Sequence, residues 1–493
     1  MGYLLLTGAT GLLGRYLLRD LSLARIPLAV VVRPSRHETA AQRIETAIVY
    51  WERVLGRELV RPMVLSGDIS QPGLGLSEED LRWTTENCDQ VLHSAASLTF
   101  YADDPSDPQG EPFRSNVQGT RHVLELCRQA GIRRYHQVST AYVCGERRGR
   151  ILESELDVGQ VLGNDYEKTK TASEKEVRGA DFLDQVTVHR PSIIVGDSQT
   201  GYTTSYHGFY SPLRLLHTLI RSVPWETIAE GDWLGGLSLD GSEHKNLVPV
   251  DWVSAAITEI VARPELHGHT YHLTNPHPST VADMVFSIAA ALAQLAEENP
   301  APASGMAATE EMVASFREQM KIYQSYWSND PDFDSTRTEA ALPHLPCPAI
   351  DRVVMDRLIA FALQTNFGWP REATVTPQQT VQGRLQKWLA AGQRLPTGQT
   401  FTGGPGRSVN LEVCGRGGGQ WRLLVQQEQL VGAQIGLGAD NGLSCYLSAD
   451  SFEQLAQGQL GWDRAIDSGR LVVAGAAPDA QDLKRLFSDL FSH

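Results

Sequence analysis

Residues 2–14, GYLLLTGATGLLG, constrain the fold of this chain more than any other stretch. A short apolar run reads as a buried strand. Gly8, Gly11 and Gly14 follow in GxxGxxG spacing, and RYLLRDLSLARI then shows helical periodicity. Glycines so placed permit a tight turn and the close approach of backbone to a pyrophosphate. The helix start adds free N–H groups and partial positive charge. Thr10, Leu12 and Leu13 belong to the same loop.

The next 350 or so residues repeat the strand–helix alternation. LAVVVR (28–33) is a second apolar strand, followed by the amphipathic ETAAQRIETAIVYWERVLG. Further strands lie in RPMVLSGDIS, CDQVLHSAA, RYHQVSTAYV, VTVHRPSIIVG (186–196) and TYHLTN (270–275). Buried strands alternating with helices indicate an α/β fold, a doubly wound parallel Rossmann sheet. Residues 197–246 and 276–370 are less regular, hold Trp225, Trp233 and Trp327, and read as a substrate lobe within a domain spanning 1–370. Residues 371–408 read as a linker that includes the Gly/Pro/Thr-rich PTGQTFTGGPGR. Beyond it short strands follow one another without helices between them. That pattern indicates a separate antiparallel α+β module.

Composition excludes several classes. The net charge is −15, and the excess of acid lies before residue 374, which discourages nucleic-acid binding or tight docking on anionic membranes. No apolar run reaches the 18 or so residues of a membrane span. The N-terminus has no basic leader, and a cleaved signal would remove the first strand, so a cytoplasmic location is expected. The six Cys form no CxxC pair, so free thiols and no metal site are expected.

The chemistry gathers around the glycine loop. An acidic residue at the end of the second strand would hold a ribose 2′-OH. Here Arg33 stands there, with Arg36 and Arg43 close behind, and cations suit a 2′-phosphate, hence NADPH. Asp68 and Ile69 lie at the tip of the third strand, where an adenine could be held. Ala95 and Ala96 follow the fourth, where small residues let a cofactor pass. Tyr166 and Lys170 sit one helical turn apart in GNDYEKTKTASEKEV, so they share a face. A nearby ammonium is expected to lower the Tyr hydroxyl toward neutrality. Chance placement of 14 Tyr and 7 Lys in 493 residues gives about 0.2 such pairs, so the pair needs company. Ser139 and Thr140, about 26 residues upstream, supply it. A hydroxyl donor, a Tyr and a Lys over a nicotinamide make a hydride-transfer site.

With TGATGLLG, NVQGT, VSTAYV, YEKTK and RPSIIVGDSQTG in place, residues 3 to about 370 resemble the extended short-chain dehydrogenases/reductases. GDISQPGLGLSEEDL, HSAASLTF, LVPVDWVSAAI and the long second-helix segment resemble one branch, the thioester reductase or fatty acyl-CoA reductase ("male sterility") group. The resemblance implies NADPH-dependent reduction of acyl thioesters, with the catalytic triad on Thr140, Tyr166 and Lys170 and with Ser139 as an open alternative to Thr140. Pro191 and Ile194 fall in its cofactor-binding stretch. Asn116 either supports the lysine through water or caps a helix. Sugar-nucleotide dehydratases of this fold place Asp-Glu after the Thr; Ala141 and Tyr142 stand here, which disfavours dehydration. No carrier or adenylating segment precedes residue 1, so the acyl donor is expected free or on another chain, and an acyl-carrier partner stays open.

LSADSFEQLAQGQLGWDRAIDSGRLVVAG, residues 447–475, resembles the sterol carrier protein type 2 fold, and that likeness covers roughly 384–493. It implies an apolar tunnel between sheet and helices, with AIDSG and LFSDLF as wall or closing helices. The alternative is that these residues fill a small core. Three functions follow as expectations: an NADPH-dependent reductase of an acyl thioester or fatty aldehyde with a lipid-delivering tail, a 3β-hydroxysteroid-type dehydrogenase, or a non-catalytic NADPH-gated lipid carrier.

Overall fold

The alternating runs pair as a doubly wound sheet. In chain order they form β1 (Tyr3–Thr7), α1 (Leu12–Leu23), β2 (Leu28–Val32), α2 (Ala40–Leu55), β3 (Met63–Ser66), α3 (Glu78–Asn87), β4 (Cys88–His93), α4 (Gly119–Ala130), β5 (Arg134–Val138), α5 (Asp165–Arg178) and β6 (Gln185–Pro191). Then come β7 (Ile193–Val195), β8 (Leu247–Pro249) and β9 (Thr270–Leu273). Seven strands lie in the order β9-β6-β5-β4-β1-β2-β3. The pairings of β1 with β2 and β4, of β5 with β4 and β6, and of β6 with β9 are parallel. Every residue of β2 is buried, as a strand covered on both faces requires.

The computed structural model describes residues 2–35, 38–100, 107, 110–220, 224–229, 239–298, 328–368, 378–391, 407–414, 419–426, 429–437, 443–456, 458–467 and 470–474. It divides into two units, Met1–Val32 with Gly67–Pro370, and Arg33–Ser66 with Arg371–His493.

In the first unit the helix that carries the Tyr/Lys pair is fixed by its ends. Asn164 caps α5 by accepting from the Glu167 N–H, with Asp165 and Glu167 in the first turn and Lys175 and Arg178 in the last, each sign complementing the helix dipole. The apolar run at 186–196, expected as one strand, is two. At Ser192 the backbone changes partner: Ser192 N–H donates to Leu273 O, and Ile193 N–H to Asn246 O. β6 therefore ends in the main sheet, and β7 pairs with β8. The late segments build a second core in this unit from α6 (Tyr210–Leu219), α8 (Val281–Glu298) and α9 (Arg352–Gln364), with α7 (Val250–Ala262) between α6 and α8 in the chain. Phe209, Leu213, Met284, Ile288 and Leu358 are buried in it. Trp233 and Trp327 lie outside the described residues. Among the described residues no helix is long and apolar enough to cross a membrane, and no group of His, Cys, Asp or Glu could hold a metal ion.

In the second unit the expected α+β pattern is present, with two differences. Five strands, β10 (Arg407–Cys414), β11 (Gly419–Gln426), β12 (Gln429–Ile435), β13 (Leu443–Ser448) and β14 (Leu471–Ala474), lie in the order β12-β11-β10-β13-β14. The sheet is not wholly antiparallel, because its central pair, β10 and β13, is parallel. The stretch expected as linker contains a helix, α10 (Gln378–Ala391), whose Val381 and Leu385 are buried with Val409, Leu411, Trp421 and Phe452. α11 (Ala449–Ala456) and α12 (Trp462–Asp467) complete that core. Ion pairs within this unit include Arg384 with Glu453 at 2.7 Å and Arg470 with Glu58 at 3.0 Å. Of the expected tunnel helices, α12 contains Ala465, which is buried, whereas LFSDLF lies outside the described residues.

Candidate active site

The strand order reverses between β1 and β4, and there the loops leaving their carboxyl ends part, the place where doubly wound sheets take a ligand. Gly8 has φ +80°, and a Cβ on it would lie 2.6 Å from the Ala95 N. The loops after β1 and β4 thus approach as only glycine allows. A Cβ on Gly14 would lie 2.0 Å from Gly8 O, so the third glycine seats α1 on the loop. Above Gly11 a Cβ would meet only Gly8 O, at 3.5 Å, and the N-terminus of α1 has no side-chain cap. An open glycine face beside uncapped N–H groups fits a pyrophosphate. Thr7 joins the two loops: its Oγ1 accepts from the Ala95 N–H at 3.2 Å and lies 2.7 Å from His93 Nδ1.

β5 ends at Val138 and delivers Ser139 and Thr140 beside α5. The Thr140 hydroxyl lies near enough to that of Tyr166 to lower its proton affinity; it donates to Pro191 O at 3.4 Å and accepts from the Tyr142 N–H at 3.2 Å. Ser139 is buried and faces the Glu174 carboxylate instead. Of the two candidate hydroxyls, Thr140 is the one brought to Tyr166. Lys170 is buried, and its Nζ donates to Val138 O at 2.7 Å.

The proton affinities differ from the sequence expectation. Loss of water pushes the Tyr166 hydroxyl up to about 12, against a smaller lowering by Thr140. The Lys170 ammonium, turned to the Val138 carbonyl, does not reverse this. Lys170 itself is pushed down to about 8 by burial, which Glu174 opposes. At neutral pH both groups carry their protons, so Tyr166 is set as a proton donor, and Thr140 and Tyr166 can share a developing oxyanion.

The other expected residues fall as follows. Asn116 lies in a single π turn, Arg114–Gln118, ahead of α4. Its side chain accepts from the Ser97 N–H at 2.8 Å and donates to Ser97 O at 3.1 Å and Thr169 Oγ1 at 3.0 Å. It therefore caps no helix; it ties the loop after Ala96 to α5. Asp68 accepts from the Ser70 N–H at 2.9 Å and shapes the turn after β3. Ile69 packs on Gly119 at the start of α4. Pro191 closes β6, and its O accepts a long bond from Thr140 at 3.4 Å; Ile194 lies in β7. In the second unit Arg33, the residue after β2, is exposed, and Arg43 donates to its carbonyl. Arg36 lies outside the described residues. Sequence reasoning missed the pair of Glu174 and Arg190, both wholly buried. Glu174 stands four residues after Lys170 and Arg190 directly before Pro191, so spacing within the two quoted motifs held the signal.

Residues 6–257 match the NAD-binding family described as Male sterility protein. The carboxylic acid reductase of Mycobacterium marinum is 27% identical over 55% of this chain and 24% of its own length. The L-2-aminoadipate reductase large subunit of Penicillium chrysogenum is 27% identical over 55% of this chain and 19% of its own. The chain thus spans a quarter or less of these relatives. The terminal R domain from the myxalamid PKS-NRPS biosynthetic pathway superposes with a TM-score of 0.58 at 27% identity, covering 74% of this chain and 92% of that one. A thiolation-reductase di-domain from an archaeal non-ribosomal peptide synthetase shares the fold, with a TM-score of 0.55 at 20% identity over 74% of this chain and 76% of that one. This chain belongs to the NAD-binding male sterility protein family and is an NAD(P)-dependent oxidoreductase of the short-chain dehydrogenase/reductase type.

Proposed function

From that family membership, we propose that the chain reduces the carbonyl of an acyl thioester with NADPH through Thr140, Tyr166 and Lys170. One observation carries the reading. The end of β5 brings the buried Thr140 hydroxyl to Tyr166, whose proton affinity it lowers, with the buried Lys170 one turn along the same helix. When bound, the dinucleotide supplies the hydride. Gly8, Gly11 and Gly14 with the start of α1 would hold its pyrophosphate, and Ala95 and Ala96 would line its path; from its place in the sequence, Arg33 is the residue offered to a 2′-phosphate. Tyr166 and Thr140 donate hydrogen bonds to the carbonyl oxygen as negative charge grows there. Tyr166 then gives its proton to that oxygen, leaving a hemithioacetal. Breakage of the C–S bond releases the aldehyde and the free thiol. Lys170 stabilises the phenolate left on Tyr166.

The relatives named as carboxylic acid and aminoadipate reductases support a substrate at the carboxyl level of oxidation, and the thiolation-reductase di-domain supports a thioester on an acyl-carrier partner. A second reading adds a lipid-binding tail of the sterol carrier protein type. It is favoured by the run of β13, α11, the short α12 and β14, the succession that the sequence likeness implies. NADPH oxidation and thiol release should be followed with acyl-carrier thioesters, long-chain acyl-CoAs, fatty aldehydes and sterol ketones. The thioester reading requires one thiol released per aldehyde formed. Oxidation of NADPH by sterol ketones alone would replace it with the steroid dehydrogenase reading.

A further inference from the structure

Tyr166, Lys170 and Glu174 follow one another at four-residue steps on α5, so all three lie along one face of the helix. Glu174 has no exposed surface. It accepts a two-pronged bond from Arg190, Nη2 to Oε1 at 2.7 Å and Nε to Oε2 at 3.0 Å, and two more from Arg178, at 2.7 and 2.9 Å. Arg190 is equally buried and is anchored by its Nη1, which donates to Glu155 O at 2.7 Å. A fully buried ion pair is a poor device for stability alone, since apolar residues of like volume usually do as well. Its position gives it another use.

The groups that face Lys170 come from three elements. Tyr166 and Glu174 share its helix; β5 offers the Val138 carbonyl; β4 offers His93, which burial and Lys170 hold neutral. Among these groups the one anion is Glu174. We propose that Glu174, oriented by Arg190, is a positioning residue that acts through Lys170, one turn away on the same helix face, and keeps it protonated through neutral pH. This rests on the reading of Lys170 as part of the catalytic set. The ammonium is destabilised by burial and supported by Glu174, so removing that carboxylate leaves the desolvation unopposed.

The test is the pH profile of kcat for thioester reduction, with wild type expected to lose activity as pH rises through about 8. Glu174→Gln should move that limb to lower pH by about one unit or more, and Glu174→Asp, which keeps the charge, should bring it back toward wild type. Because Glu174→Gln alone strands the Arg190 charge, the paired variant Glu174→Gln with Arg190→Gln removes both charges and must show the same displacement while its near-ultraviolet circular dichroism matches wild type. An unmoved limb in the folded paired variant overturns the proposal. Lys170→Met separates the two layers. If it retains turnover, the catalytic reading of Lys170 fails. If it is inactive while the limb stays put in the paired variant, only the role of Glu174 fails.

Discussion

Two opposed shifts define the pair on α5. Burial raises the Tyr166 phenol to about 12 and lowers the Lys170 ammonium to about 8, because loss of water penalises the charged form of each. In the proposed reduction Tyr166 must start protonated, and so high an affinity ensures that over the whole neutral range. Tyr166→Phe deletes the proton while keeping the ring that meets Phe100 edge-on at 6.0 Å. Turnover should fall by on the order of 10²–10⁴ with the dinucleotide dissociation constant unchanged; near-normal turnover would remove Tyr166 from the chemistry. Arg33 carries a second prediction. A charge-assisted contact to a 2′-phosphate contributes roughly 1.5–3 kcal/mol, so Arg33→Asp should invert a preference for NADPH over NADH of about 10- to 150-fold. Equal wild-type affinities for the two dinucleotides, measured by titration, would show that Arg33 does not read the phosphate. The glycine loop and the Tyr–Lys spacing were legible because each is a local pattern. The partner of each side chain was not. Whether Ser139 or Thr140 reaches Tyr166, and whether Asn116 turns to the lysine or to Ser97, depend on contacts between elements that spacing does not encode.

Strands carry a less expected property. β4, β5, β6 and β9 bring His93, His136, His189 and His272 into the sheet interior. His136 and His189 stack, with ring centroids 5.6 Å apart. Burial lowers all four, His93 and His189 to about 3 and His272 to about 4. Each folded value lies below the unfolded value of about 6.5. Between the two, the unfolded chain binds more protons, so stability falls as pH drops below about 6.5. Each histidine adds up to about 1.4 kcal/mol per pH unit to that slope. Urea unfolding between pH 6.5 and 4 should show a steep loss of stability, reduced by about one proton in His189→Gln; a slope indifferent to that change would mean that His189 is protonated in the fold. Strand placement was readable from apolar runs, but two features of the sheets were not. The run at 186–196 stays apolar while its backbone changes partner at Ser192. The parallel pairing of β10 with β13 leaves the same alternation of buried residues as an antiparallel one.

On the scale of the whole molecule, the open question is what the C-terminal sheet does. Its helices and strands enclose an apolar core to which α10 contributes Val381 and Leu385. A truncation at the Gly/Pro/Thr-rich stretch would therefore leave part of that core behind; one that removes all of its C-terminal part must end near Gly368, the last described residue before α10, and keeps Arg33–Ser66 of the same unit. If the module carries a lipid in the manner its element order suggests, the full chain should retain a fatty acid or sterol through purification, or take up a fluorescent fatty acid from vesicles. The chain ending at Gly368 should do neither. A tethered donor raises the local concentration of a poorly soluble substrate to the millimolar scale. Turnover of long-chain thioesters should thus fall by on the order of tenfold or more in the truncated chain, whereas short soluble thioesters should be reduced at an unchanged rate. Equal losses for short and long substrates would mean that the module supports the fold of the reductase. A full chain that purifies without lipid and takes up no probe would leave the core of the module as packing alone, with docking or self-association as its remaining use.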